Sequence, residues 1–266
     1  MDRTLSETTE RNPTRVVILG AGNVATHLAK ALSRHMTVVQ IYNRHINAAK
    51  ELADATGACA TDDLSRLTDD ADIYIISVKD DAIIPLADAL GRRGGLWVHT
   101  SGSVPMSVLQ SITDTYGVLY PMQTFSKTVP VDMGKVPVFI EGNTDETQQN
   151  IARIARQISS HIYPATSEQR ALLHVAAVFA CNFTNYMWGH CADILKNSGL
   201  GLDIMRPLIE ATLEKAMTAG PHDGQTGPAR RNDTAVIEKH LSMLQGEAKD
   251  IYAQLSKYII DKYNNI

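Results

Sequence analysis

The chain has 266 residues, 44% of them apolar, enough for two hydrophobic cores. Its formal net charge of -4 leaves no basic footprint for nucleic acid or an anionic membrane, and no stretch reaches the roughly 20 apolar residues of a membrane span. The three cysteines, Cys59, Cys181 and Cys191, are odd in number and not spaced as a metal or redox pair, which predicts reduced thiols in a cytoplasmic protein without a metal site.

Residues 1–14 are polar and lack an apolar centre, so they are expected to be a flexible tail and neither a signal peptide nor an anchor. The run Arg15-Val16-Val17-Ile18-Leu19 then meets Gly20-Ala21-Gly22-Asn23-Val24-Ala25 and an Ala/Leu-rich segment of helical spacing. This is the strand, tight turn and helix of a dinucleotide-binding unit. Gly20 allows the sharp turn, Gly22 lets the backbone approach a pyrophosphate, and Ala25 permits close packing of helix on sheet. The N–H groups of the helix that opens at Asn23 and Val24 would face the phosphates.

The second strand, Thr37 to Arg44, decides which dinucleotide is expected. An NAD-preferring unit usually carries a carboxylate at this strand end, on the ribose 2′-hydroxyl. Here Asn43 and Arg44 occupy it, with His45 next, and a guanidinium can hold a 2′-phosphate through a bidentate pair. NADP is therefore the expected cofactor; the alternative is a solvated loop arginine.

A helix from Ala48 to Thr56, a short strand from Ala58 to Thr61 and an apolar strand from Asp72 to Val78 follow. Val78 and Lys79 fall at its carboxyl end, where open α/β sheets bind ligands, although a solvated lysine at a helix start fits as well. The next strand runs from Leu96 into His99-Thr100-Ser101-Gly102, which places that loop near the nicotinamide. His99 is a candidate proton donor and Ser101 a candidate substrate contact; the other reading is a buried histidine beside a helix cap. Strands are predicted from Val118 to Phe125 and from Val136 to Gly142, with Gln123 and Thr124 as candidate substrate contacts. A helix from Thr144 to Ser160 and an edge strand from His161 to Pro164 complete a Rossmann-type, mostly parallel α/β domain over residues 15–165.

From residue 166 to 266 only helical periodicity remains, which predicts an all-α C-terminal domain. Its first helix, from Ser167 toward Lys196, is apolar nearly all round and reads as buried. His174, Val178 and Asn182 fall on one stripe, so the two polar groups either bond within a core or line a cleft against the first domain. A helix from Leu202 to Ala219 leads to the glycine- and proline-rich loop from Gly220 to Asp233, where Thr226 and Arg230 could reach an anion and Asn232 or Asp233 caps the following helix. A last helix spans Glu247 to Tyr263.

These residues together resemble a family of Rossmann-like NADP oxidoreductases whose C-terminal helical domain has no assigned function, related more distantly to pyrroline-5-carboxylate reductase and the deazaflavin-dependent NADP oxidoreductases. The resemblance rests on the Gly20 to Ala25 turn, His99 to Gly102, Pro121 to Phe125, the His174 to Asn182 face and Thr226 to Arg230. Tyr120 replaces the histidine usual in the family before that proline, and Asn232 stands where glycine is common. The resemblance implies two domains, a homodimer formed through the helical one, and an active cleft between the domains. Related 3-hydroxyacid dehydrogenases carry a lysine one turn from an asparagine on the first interdomain helix, and no lysine lies between His174 and Asn182.

The expected activity is hydride transfer between NADP(H) and a small carbonyl or imine. His174 would be the general acid, with Asn182, Ser101 and Gln123 orienting the substrate. The competing expectation is a catalytically silent NADP-binding sensor or scaffold, and a third is pyrroline-5-carboxylate reduction itself.

Overall fold

The computed structural model describes residues 14–264, so the tail expected over residues 1–14 lies outside the described residues except for Thr14. Eight strands form one sheet: β1 Arg15–Leu19, β2 Thr37–Tyr42, β3 Cys59–Thr61, β4 Ile73–Ile76, β5 Leu96–His99, β6 Tyr116–Pro121, β7 Val138–Gly142 and β8 Ile162–Pro164. Their order is β3-β2-β1-β4-β5-β6-β7-β8. All neighbours are parallel except the antiparallel pair β6–β7.

The register explains where a ligand can sit. Leu19 pairs with both Tyr42 and Ile76, and Ile76 pairs with His99, so β1, β2, β4 and β5 end level with one another. The residues that leave these strands, Gly20, Asn43, Ser77 and Thr100, therefore emerge along one edge.

Helices α1 Asn23–Leu32, α2 Ile46–Asp54, α3 Asp80–Leu90 and α4 Asp145–Ala155 connect the strands. Along β1, Val16 and Ile18 join one apolar cluster with Leu28 and Ile151, while Val17 and Leu19 join another with Ile83 and Trp97. The period-2 alternation of the strand thus feeds two cores, one on each face of the sheet. Trp97 stacks flat on Tyr74 at 4.2 Å. The helix expected to reach Ser160 stops at Ala155, because Ser159 turns inward, donating to the Val136 carbonyl (2.6 Å) and accepting from the His161 amide (3.0 Å).

Helix α5, Ser167–Ala177, opens with a capping box: the Thr166 hydroxyl accepts from the Gln169 amide and the Gln169 side chain accepts from the Thr166 amide. A widened π turn, Val178–Phe183, follows, and then α6, Thr184–Lys196. Two sequence expectations change here. The extra residue per turn breaks the helical stripe through His174, Val178 and Asn182. The helix is also not buried: within α5 only Arg170 is, while Leu172, Val175 and Phe179 are 71%, 55% and 64% exposed in this single chain.

By its contacts the chain divides into two compact units, one through Cys181 and one from Asn182. The second contains α6, α7 Arg206–Ala219, α8 Thr234–Met243 and α9 Gly246–Asn264, with no strand among the described residues. Asp233 caps α8 by accepting from the Val236 amide, and the His240 ring nitrogen Nδ1 lies 2.8 Å from the Tyr252 hydroxyl, tying α8 to α9.

Candidate active site

A cleft of about 950 Å³ follows the level strand ends of the first unit. At its centre Gly20 has φ +126°, a conformation that favours glycine, and donates its amide to the Tyr42 carbonyl at 2.7 Å. A Cβ at Gly20 would overlap the Ser77 carbonyl oxygen, so the turn and the end of β4 touch backbone to backbone. At Gly22 the same added carbon would meet nothing within 4 Å, because this residue faces the open cleft. Gly22 precedes α1 without any side-chain cap, and the first turn holds no acidic residue. Its leading N–H groups and the positive end of the helix dipole are thus left for an anion.

Asn23, Val24, Asn43, Arg44, Val78 and Lys79 all line this cleft. The Asn43 side chain donates to the His45 carbonyl (3.1 Å) and shapes the loop after β2. Arg44 is exposed and makes no ion pair among the described residues. Burial pushes the Tyr42 phenol up, and the Arg44 charge opposes that shift. Ser77 accepts from the Thr100 hydroxyl at 3.1 Å, joining the ends of β4 and β5.

At the other end of the cleft, Ser101, Gly102, Tyr120, Gln123 and His174 converge. Ser101 organises this region from within: its Oγ accepts from the amides of Ser103 and Val104, both at 3.1 Å. Arg170, wholly buried, donates Nη1 to the carbonyls of Ser101 (2.6 Å) and Val104 (2.9 Å) and Nη2 to Glu141 Oε2 (2.9 Å). Glu141 also accepts from the Ser167 amide and hydroxyl at the start of α5. Arg170 thus pins the β5 loop to α5 through its carbonyl bonds while its ion pair with Glu141 fastens α5 to β7, and His174, one turn beyond Arg170, reaches Gly102 and Tyr120. The Tyr120 hydroxyl lies 3.3 Å from His174 Nδ1. Gln123 holds its own loop, accepting from the Thr124 amide at 2.8 Å.

Of the remaining sequence candidates, one is buried in the first unit and three belong to the second. His99, expected to present a proton in the cleft, is wholly buried; its Nε2 lies 3.4 Å from the Pro105 carbonyl and its Nδ1 accepts from the Ser101 amide. Burial first, and the Arg170 charge second, pull it down to about 4, so it is a neutral structural ring. Asn182 lies in the π turn, exposed, and belongs to the second unit. Thr226 and Arg230 also belong to that unit, where the Arg230 guanidinium stacks 4.6 Å over the Tyr263 ring. Arg170 and Glu141 were missed by sequence reasoning. The Thr166-Ser167-Glu168-Gln169 capping box fixes where α5 starts and so which turn carries Arg170, the one signal that pointed there.

The comparisons with known proteins fit this geometry. A crystal structure of a "putative NADP oxidoreductase" from Bacteroides fragilis is 44% identical to the chain, covering 94% of it and 98% of the other chain, with a TM-score of 0.88. The chain belongs to that NADP oxidoreductase family. Residues 136–259 match the model of a domain of unknown function, and residues 4–92 match that of shikimate/quinate 5-dehydrogenase. A reductive aminase from Aspergillus terreus, solved with NADPH and ethyl-5-oxohexanoate, shares the fold at 14% identity, TM-score 0.72, covering 94% of this chain and 95% of the other. So does 1-pyrroline-5-carboxylate reductase from Streptococcus pyogenes, at 14% identity, TM-score 0.63, covering 96% and 100%. No curated protein matches the sequence. No helix among the described residues is long and apolar enough to cross a membrane.

Proposed function

We propose that this member of the family uses NADP(H) to reduce a small carbonyl or imine. The observation that carries the reading is one continuous cleft with an anion-binding turn at Gly20–Asn23 and a hydrogen-bonded Tyr120–His174 pair. The residues present fit the cofactor. Gly20 can take its position only without a side chain, Gly22 leaves room for a pyrophosphate, and Arg44, two residues past β2, offers a 2′-phosphate a guanidinium that has no ion pair among the described residues. When bound, the reduced nicotinamide supplies a hydride.

The chain's own residues do the rest. The α1 N-terminus and Arg44 hold the phosphates, Val78 and Lys79 flank the cofactor, and Ser101, fixed by Arg170, shapes the floor. His174 is the source of the proton that the reduced product takes up, and Gln123 lies within reach of a substrate polar group. Titration with NADPH and NADH, followed by NADPH turnover on 2-keto acids, cyclic imines and ketone–amine mixtures, tests this. Tight NADPH binding without turnover on any class would leave the sensor reading in its place, and no NADPH binding at millimolar concentration would remove both.

We also infer a homodimer, because Leu213 and Met217, one turn apart on α7, are 57% and 75% exposed and share a face of the helix, an apolar surface of the kind that a second copy covers. A monomer in analytical ultracentrifugation would refute it. The free thiols of Cys59, Cys181 and Cys191 fit a reducing cytoplasm.

A further inference from the structure

Tyr120 stands at the carboxyl end of β6, beside the loop that follows β5, and only 9% of it is exposed. Its ring meets the His174 ring edge-on, centroids 6.3 Å apart, and its hydroxyl lies 3.3 Å from Nδ1. Both rings rest on Gly102, where an added Cβ would come within 2.9 Å of Tyr120 Cζ and of His174 Nδ1 alike. The absence of a side chain at position 102 is therefore what lets these two rings meet at the cleft. Nothing in the fold requires it: residue 102 has no positive φ, and its neighbours Ser101 and Ser103 are held by their own hydrogen bonds.

We propose that Tyr120 is a catalytic residue of the reduction, giving its hydroxyl proton to the substrate while His174 refills it. The proposal rests on the carbonyl or imine reductase reading above. As the carbon of the C=O or C=N bond accepts a hydride from the reduced nicotinamide, its π electron pair moves to oxygen or nitrogen. That atom takes the Tyr120 proton as the Oη–H bond breaks. In the same event the imidazolium of His174 passes its Nδ1 proton to Oη, which leaves a neutral phenol, a neutral imidazole and an alcohol or amine. Solvent then reprotonates His174, which is only partly buried.

The direct refill is needed because burial makes a phenolate costly here: it pushes Tyr120 up, and Asp80 adds to this, against the opposing charge of Arg170. The charged groups around the pair are Arg170 on α5, whose charge is paired with Glu141, Asp80 at the start of α3, whose carboxylate accepts from Ser103, and Lys79 on the cleft wall. His99 does not compete, since its ring is committed to Pro105 and Ser101.

The test compares wild type with Tyr120→Phe, His174→Gln and the double variant. In cofactor-free protein, NMR follows the His174 ring through its titration; removal of the phenol is expected to move the midpoint. NADPH affinity, read by fluorescence, should stay within about twofold in every variant, since neither ring holds the phosphates. With the substrate that the panel above turns over, each single variant should lose about 100-fold in kcat with little change in KM, and the double variant should lose little more than either. The wild-type rate should fall with rising pH through the midpoint that NMR reads for His174, and the Tyr120→Phe residual rate should not. A Tyr120→Phe enzyme with wild-type kcat, or a His174 titration indifferent to it, overturns the proposal. A wild type that fails to bind NADPH overturns instead the reading beneath it, and the NMR comparison still decides whether the two rings are coupled.

Discussion

Arg170 and Glu141 form an ion pair at 2.9 Å in which the arginine side chain is wholly buried and the carboxylate side chain 10% exposed. Removing one partner leaves an uncompensated charge in the interior, so Glu141→Ala should cost about 3–5 kcal/mol in urea unfolding, more than an exposed pair such as Arg206–Glu210 contributes. Glu141→Gln, which keeps acceptor and shape, should cost less. A Glu141→Ala protein as stable as wild type would show that the pair does not hold α5 on β7.

Gly20 and Gly22 make opposite predictions from sites two residues apart. Gly20→Ala must accommodate a Cβ against the Ser77 carbonyl at φ +126°, so it should fail to fold or lose several °C in melting temperature. Gly22→Ala points into open space and should melt like wild type. Its cost should instead appear as weakened NADPH affinity, because the methyl group enters the volume assigned to the pyrophosphate. Calorimetry on both separates the two roles, and an unfolded Gly22→Ala would contradict the assignment.

Arg44 should discriminate between cofactors. Arg44→Ala is expected to weaken NADPH by about 10- to 100-fold, the value of hydrogen bonds to a charged group, and to leave NADH nearly unchanged. Equal losses for both would place Arg44 off the 2′-phosphate.

His99 predicts acid sensitivity. Its folded value of about 4 lies below the ordinary 6.5, so the unfolded chain takes up a proton that the folded chain refuses. The contribution is complete above pH 6.5 and declines as pH falls toward 4, by roughly 3 kcal/mol at most. His99→Asn, with an acceptor for the Ser101 amide but no titration, should be less stable at pH 7 yet show a flatter stability slope between pH 6.5 and 4. An unchanged slope would assign the acid lability to other groups.

The glycine-turn half of the cleft was legible in the sequence because it is local. Strand, glycine turn and helix stand within 20 residues, and Arg44 lies two residues past the next strand, so β-branched runs and small residues sufficed. The other half depends on contacts between residues far apart in the chain. Tyr120 meets His174 across 54 positions and Arg170 meets Glu141 across 29, and no spacing rule joins them. His99 misled because its polar ring at a strand end reads the same whether it faces a cleft or the Pro105 carbonyl. The apolar run after Ser167 reads as a buried helix, yet Leu172 and Val175 stand exposed in the single chain.

The reversal of β7 against β6 decides which part of α5 reaches a ligand. Gly142 pairs with Gly117 at the start of β6, and β8 runs with β7, so the chain leaves the sheet near the foot of β6. Helix α5 then climbs: Ser167 at Glu141, Arg170 at Ser101, His174 at Tyr120. Had the final strands followed the direction of the others, the helix would begin at the ligand edge and recede from it, delivering only its first turn. One change of strand direction thus sets the height at which the His174 imidazole enters the cleft, and an insertion of a single residue before Arg170 would turn the wrong side chain toward it.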